Sequence, residues 1–200
     1  MAKRSYPDVA IFFIKDAIHA VNDKLYPVSV LVIIEFFHLN GTLLSKIEKD
    51  YTLEANSVTL IHKVEAEDYK DAKKEEAMIY SEIVAGKNQE MTSTHFNVRF
   101  KELTLYPAEI EIQFHPEFNV MVLETKKTVV KNMFISGKSK YIRTSNNYFD
   151  LVPGHPVKVL LEDGIKLSDV KDDLVFRSYR EVYLEDSKLV VKDTTVSSSA

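Results

Sequence analysis

Residues 109–115 alternate strictly, with Ile110, Ile112 and Phe114 on one side and Glu109, Glu111, Gln113 and His115 on the other. A two-residue period of this kind belongs to a strand with one dry face and one wet face. Val157, Val159 and Leu161 repeat it against Lys158 and Glu162. Residues 175–184 continue less cleanly, with Arg177, Arg180 and Glu181 among Phe176, Tyr179, Val182 and Tyr183. Turn residues punctuate these runs. Asn40-Gly41 separates the apolar runs 28–39 and 43–47, and both residues tolerate positive φ, so a hairpin is predicted there. Gly86-Lys87-Asn88 ends a strand over 77–84, Pro153-Gly154 suits a type II turn, and Asp163-Gly164 is another hairpin-type stop. Only 66–77 reads differently. It is rich in Glu, Lys, Asp and Ala with few β-branched residues, which predicts a solvated linker or a short surface helix.

Strands every ten residues or so, with turn signals between them, predict an all-β fold of sandwich type. One immunoglobulin-type sandwich takes about 100 residues, so the 200 residues of this chain accommodate two in tandem, both antiparallel. The best boundary is 103–107, because Pro107 interrupts pairing just before the clean strand. The expected organisation is a first sandwich over 1–104, a second over 105–186, and a small, polar, disordered tail over 187–200.

Charge narrows the partners. Residues 1–104 carry 13 basic and 16 acidic side chains and the rest carry 13 and 14, for a net charge of −4. Neither part has the basic excess that a phosphate backbone demands, so no nucleic-acid partner is expected. The longest apolar stretch, 28–39, is interrupted by Glu35 and His38 and falls short of the roughly 20 residues of a spanning helix. No membrane partner is expected. The six apolar residues at 9–14 are also short for a secretory leader, typically about 7–15. Either the protein is not exported or the chain is a piece of a longer one. Cysteine is absent, which excludes disulfides, thiolate catalysis and thiolate metal sites and leaves the compartment unspecified.

The run 28–39 is apolar on both sides. Val28, Val30, Val32, Ile34 and Phe36 share one face, and Leu31, Ile33, Phe37 and Leu39 share the other. An antiparallel sandwich strand normally keeps one face wet. Two readings follow: a central strand covered by a loop or a neighbouring domain, or an apolar face that docks on a larger partner domain.

No catalytic, cofactor-binding or metal-binding residue is assigned. The nearest two of the six histidines, His19 and His38, stand 19 positions apart, so no local metal pair exists. Ser136-Gly137-Lys138-Ser139 mimics the end of a phosphate loop, but Asn132 stands where the loop needs its first glycine. Asn40-Gly41-Thr42 has the form of a glycosylation sequon and is accounted for by the hairpin turn. The pairs Glu65 with Glu67, Glu75 with Glu76, and Asp172 with Asp173 lie in polar turns, where a carboxyl has no reason to be tuned for glycoside chemistry.

Residues 145–154 read Ser-Asn-Asn-Tyr-Phe-Asp-Leu-Val-Pro-Gly. This resembles the Ser-Asp-Asn-Tyr-Phe-x-Leu-x-Pro-Gly segment in the C-terminal immunoglobulin-like domain of β-mannosidases of glycoside hydrolase family 2, with Asn146 where the family has Asp. Ile18-His19-Ala20-Val21-Asn22-Asp23 is similar to the strand ending in Asn-Asp that opens the preceding sandwich of these enzymes. The Glu-Ala-Asn-Ser-Val run at 54–58 fits the next turn, and Phe176-Arg177-Ser178-Tyr179 resembles the closing strand. The resemblance covers roughly 8–185.

The resemblance implies a non-catalytic C-terminal region of a retaining β-mannosidase-like hydrolase. In that family the acid/base and nucleophile glutamates belong to a (β/α)₈ barrel, for which this chain has neither the length nor the alternation. The barrel of the parent enzyme is the implied partner, an oligosaccharide a further one, and no cofactor is implied. Two alternatives stay open. One is a carbohydrate-binding or adhesive immunoglobulin-like module, which needs two or three exposed aromatics in a row on one face; Tyr141 and Tyr148 are available, while Phe149 is expected to face inward. The other is the same region of a β-galactosidase or exo-β-glucosaminidase. Oligomeric state is not legible.

Overall fold

The computed structural model describes residues 7–86, 90–183 and 189–193. The chain divides into two compact units, Met1–Thr104 and Leu105–Ala200. Each is an all-β sandwich of two sheets.

In the first unit, β1 (Val9–Ile14), β2 (Ala17–Asn22) and β5 (Ser57–Lys63) form a three-stranded sheet in the order β1-β2-β5. Facing it is the sheet β4-β3-β6-β7, built from β3 (Val28–His38), β4 (Leu43–Leu53), β6 (Ala77–Val84) and β7 (Glu90–Phe96). Alternation sends Val9, Ile11, Ile18 and Ala20 from one sheet, and Val30, Val32, Ile34, Phe36, Ile79 and Ile83 from the other, into one buried cluster. Tyr69 stands edge-on to Phe36 at 5.2 Å between centroids, and its hydroxyl donates to Asn97 Oδ1 at 2.7 Å. Burial pushes the Tyr69 phenol up to about 12.

The β3–β4 hairpin forms at Asn40-Gly41, but only Gly41 takes positive φ (94°). The turn closes with the Gly41 N–H on the His38 carbonyl at 2.8 Å, and the ladder shifts register between Phe36 and Phe37. The hairpin therefore carries a longer loop and an irregular step in place of a two-residue primed turn. The polar segment after β5 becomes two single turns of 3₁₀ helix, Ala66–Tyr69 and Lys74–Glu76, neither of which buries a residue.

The two-sided strand is resolved by a loop. The valine-bearing face of β3 points into the core. On the other face Phe37 and Leu39 are buried, together with Met78, Tyr80 and Phe96 of the neighbouring strands. The chain leaving β7 returns over this end: the Phe100 ring meets Phe96 edge-on at 6.0 Å, and the Thr104 N–H bonds the Glu75 carbonyl. Leu31 and Ile33 are only half-buried, among Glu48, Asp50 and Glu82. Glu35 is buried and answered by Lys46 Nζ at 3.3 Å, which also reaches Glu48 at 3.0 Å. Of the two readings, cover by a loop holds at the Phe37–Leu39 end of the second face, and at the other end the half-buried Leu31 and Ile33 stand in rows that carry carboxylates.

In the second unit, β8 (Glu109–His115), β9 (Val120–Thr125), β12 (Val157–Leu160) and β14 (Val190–Asp193) make the sheet β12-β9-β8-β14. It faces β11-β10-β13, from β10 (Val130–Gly137), β11 (Phe149–Leu151) and β13 (Leu174–Arg177). Ile110, Ile112 and Phe114 enter the core as the alternation requires, against Met121, Leu123, Met133, Ile135 and Val159. A short helix α1 (Leu167–Val170) adds Leu167 and Val170 to the same core.

Two expectations are corrected here. Residues 175–184 are not one strand: β13 ends at Arg177 and helix α2 (Tyr179–Tyr183) follows, while residue 184 lies outside the described residues. Ser178 and Glu181 explain the switch, since the Glu181 carboxylate accepts from both the Ser178 N–H and its hydroxyl. The Glu181 contact to the Ser178 N–H is the glutamate half of a Ser-x-x-Glu capping box at a helix start. The tail expected to be disordered over 187–200 contains β14, which pairs parallel with β8 from Val190↔Glu109 to Asp193↔Ile112, so the sheet is not purely antiparallel. Ion pairs of 2.6 Å, Lys192 with Glu109 and Lys171 with Asp193, fasten it, and Leu189 packs on the core. The remainder of 187–200, like Lys87 and Asn88 of the turn after β6, lies outside the described residues.

Asn22 anchors the passage from β2 to β3. It is fully buried; its amide donates to the carbonyls of Tyr26, Leu53 and Glu54, and its oxygen accepts from the Lys24 N–H. Asn22→Ala leaves these backbone groups unanswered and should lower the stability of the first unit by about 2–3 kcal/mol. Asn22→Asp, which puts a carboxylate against three carbonyls, should cost at least as much. Urea denaturation followed by circular dichroism measures both.

Candidate functional site

The residues that sequence reasoning weighed for chemistry lie apart and have structural work. The Glu65 backbone N–H bonds Asp68, which also pairs with His62 Nε2 at 2.8 Å. Glu76 stands 3.7 Å from His38, and the Glu75 carbonyl holds Thr104. His115 is 3.8 Å from Glu117. His19 and His95 stack on Phe12 and Phe13, and burial lowers the His95 pKa. Among the described residues no group of three or more His, Cys, Asp or Glu could hold a metal ion.

The phosphate-loop mimic is a turn built round a carboxylate of its own chain. Ser139 donates to Asp173 Oδ1 through its N–H at 3.0 Å and its hydroxyl at 2.8 Å. Lys138 donates through its N–H to the Asp173 carbonyl and through Nζ to the Asp172 carbonyl. Gly137 is needed for close approach: a Cβ there would lie 2.2 Å from the Lys140 carbonyl oxygen. The donors that a phosphate would require are thus engaged by Asp172 and Asp173, and the Asp173 carboxyl is held below its ordinary value chiefly by the Ser139 hydroxyl.

Residues 145–154 form the most organised polar region of the second unit. Asn147 bonds both backbone groups of Ile135, accepting from the N–H at 2.8 Å and donating to the carbonyl at 2.9 Å. It thereby continues the ladder of β10 where the main chain has left it. Tyr148 takes positive φ (59°), bonds the Met133 carbonyl through its N–H, and stacks on Phe134 at 4.9 Å. Phe149 packs on the core, and Asp150 enters the register break of β10 between Val130 and Met133. There Asp150 Oδ1 accepts from the Asn132 N–H at 2.9 Å, and its carboxylate pairs with Lys131 Nζ at 2.9 and 3.0 Å. The two charged side chains are only 7% and 4% exposed. Pro153-Gly154 then turns the chain, with Gly154 at φ 85° and the His155 N–H on the Val152 carbonyl, as a type II turn requires.

A second polar anchor was not read from the sequence. Asn119, at positive φ after β8, donates to the carbonyls of Leu161 and Ile165 and accepts from the Leu167 N–H. An asparagine just after a Pro-Glu-Phe turn is the available signal.

Tyr141 and Tyr148 are both exposed, and of the exposed aromatics of the second domain Phe118 and Tyr148 belong to opposite sheets. Phe118 sits in the turn between β8 and β9, beside a shallow hollow of about 310 Å³ lined by His115, Val120, Val122 and Lys158. Tyr148 lies over β10 in the opposite sheet.

These two sandwiches have counterparts. Residues 16–102 match the family model described as Mannosidase Ig/CBM-like domain, and residues 105–182 match the mannosidase-type model described as Ig-fold domain. The chain is a tandem of mannosidase immunoglobulin-like domains. The crystal structure of β-D-mannosidase from Dictyoglomus thermophilum superposes on the tandem with a TM-score of 0.68 at 17% identity, over 96% of this chain and 23% of that one. An exo-chitosanase from Amycolatopsis orientalis superposes with a TM-score of 0.60 at 10% identity, over 88% and 26%. At such identities the likeness is one of fold. The mannosidase-type tandem spans about a quarter of the length of these enzymes. No curated protein sequence matches it.

Two variants test the polar anchors of the second domain. Asp150→Ala strands a buried ammonium and should cost about 3–5 kcal/mol, whereas Lys131→Met combined with Asp150→Leu should recover part of that loss. Calorimetric unfolding of the two variants beside the parent chain measures the difference. Asp173 supplies a pH test. Its folded pKa lies below the ordinary 3.8, so its contribution is complete above that value and is lost as pH falls through the lower folded value. The stability gap between the parent chain and Asp173→Asn, followed by urea unfolding against pH, should be constant near neutrality and close in acid.

Proposed function

We propose that this tandem is a non-catalytic accessory region of a longer retaining glycoside hydrolase of family 2 type, which removes terminal β-linked mannose and carries its acid/base and nucleophile carboxylates in a (β/α)₈ barrel outside these residues. The observation that supports this reading is the paired match. The two family models match in order at 16–102 and 105–182, and the fold superposes over 96% of the chain on 23% of a β-D-mannosidase.

The chemistry of the described residues agrees. A retaining site needs two carboxyls about 5–5.5 Å apart in one cleft, one of them raised by burial. Here the buried carboxylates Glu35 and Asp150 belong to different domains, and each is committed to a lysine of its own domain. In this reading the tandem supports the barrel, and sugar choice between mannoside and glucosaminide belongs to the barrel.

The isolated 200-residue chain should turn over no aryl β-mannoside. The native polypeptide, recovered from its source with an antibody raised to the chain, should be several times larger and should hydrolyse that substrate. Turnover by the isolated chain, abolished by one acidic substitution within it, would overturn the proposal. A native polypeptide that cleaves β-glucosaminides and not β-mannosides would move the specificity while keeping the accessory role.

A further inference from the structure

The outward face of the β1-β2-β5 sheet is built unlike the other outward faces. Pairing aligns Ala10, Val21 and Val58 in one row across the three strands, and Phe12, His19 and Leu60 in the next. Ile14 stands in the following row with Ala17 and Lys63, whose exposed ammonium bounds the two uncharged rows. Their neighbours in sequence, Val9, Ile11, Ile18 and Ala20, point into the core, so these side chains point away from it. Val58 is 65% exposed and Leu60 57%. No formally charged residue stands in either row, and the imidazole of His19 lies stacked on Phe12. The other large sheets turn Glu35, Lys46, Glu48, Asp50 and Glu82, or Glu109, Glu111, Glu124 and Lys158, to the same position.

We propose, resting on the accessory reading above, that this face seats another domain of the same longer polypeptide through an apolar, uncharged contact. Two observations choose that occupant. The matched enzymes are about four times as long as this chain, so most of such a polypeptide lies outside the tandem. The face is also small. Two rows across three strands, at about 4.8 Å between strands, offer on the order of a few hundred Å². Separate chains that associate stably bury about 800 Å² each. Domains joined in one chain need less, because the tether keeps the partner at an effective concentration in the millimolar range. The surface opposite Val58 and Leu60 must itself be apolar, since a charge buried against them would have no counter-ion.

Carbene footprinting of Phe12, Val21, Val58 and Leu60 tests this, applied to the isolated 200-residue chain and to the native polypeptide recovered by antibody. The isolated chain should label strongly at these positions and sediment as a monomer. In the native polypeptide the labelling should fall to near background. Val58→Asp with Leu60→Asp should leave the thermal unfolding of the isolated chain unchanged. The same pair introduced into the longer polypeptide should restore labelling at Phe12 and Val21. A native polypeptide several times longer whose face labels as strongly as the isolated chain overturns this inference and leaves the accessory reading standing. A native polypeptide no longer than this chain overturns both. Concentration-dependent dimerisation of the isolated chain that protects the same four residues assigns the face to a second copy and overturns the proposal.

Discussion

A sandwich strand can leave its ladder only if the backbone groups it abandons find other partners, because an unanswered buried N–H or carbonyl costs about as much as a lost hydrogen bond. This chain meets that demand with a few short polar side chains. Asn22 answers three carbonyls and one N–H where β2 gives way to β3. Asn147 takes the place of a strand residue against Ile135. Asn119 ties the loop between β12 and α1 to the turn after β8. Asp150 fills the register break in β10, and Lys131 neutralises it. The apolar clusters supply the driving force for each sandwich. These side chains decide where its strands stop.

That view changes what the family-like motifs mean. Ile18–Asp23 and Ser145–Gly154 carry the resemblance to glycoside hydrolases, yet their Asn22, Asn147 and Asp150 side chains bond the backbone of their own domain. Asn22, Asn147 and Asp150 would be needed in any sandwich with these crossovers, whatever sugar a parent enzyme cleaved. The same holds for Ser136–Ser139, where Asp172 and Asp173 engage the donors of an apparent phosphate loop. An accessory role and an unequivocal fold signature are therefore compatible in one chain, since fold and activity are specified by different residues.

Apolar surface follows a similar logic. The strand with the strongest hydrophobic run, β3, buries one face against the opposite sheet and the Phe37–Leu39 end of the other near the returning segment that carries Phe100, while Leu31 and Ile33 stay half-buried among carboxylates. The shorter and less conspicuous strands β1, β2 and β5 leave the uncharged outward face.

The all-β class, the alternation of β8 and the type II turn at Pro153-Gly154 were legible because each depends on residues within a few positions of one another. The hairpin at Asn40-Gly41 was legible in place but not in type, since the register step at Phe36 is set by packing across two strands. The helix Tyr179–Tyr183 had a local signal in Ser178 and Glu181 that strand-like alternation masked. The strand Val190–Asp193 had none, because its apolar content is slight and its pairing partner lies some 80 residues earlier, at Glu109–Ile112. By itself the sequence determined which residues alternate, where the chain turns and that no thiol chemistry is available, for these follow from backbone preference and side-chain type. Only the tertiary structure decided which polar side chains answer distant backbone groups, what covers the second face of β3 and which sheet keeps an apolar exterior, because each depends on strands brought together across long stretches of chain.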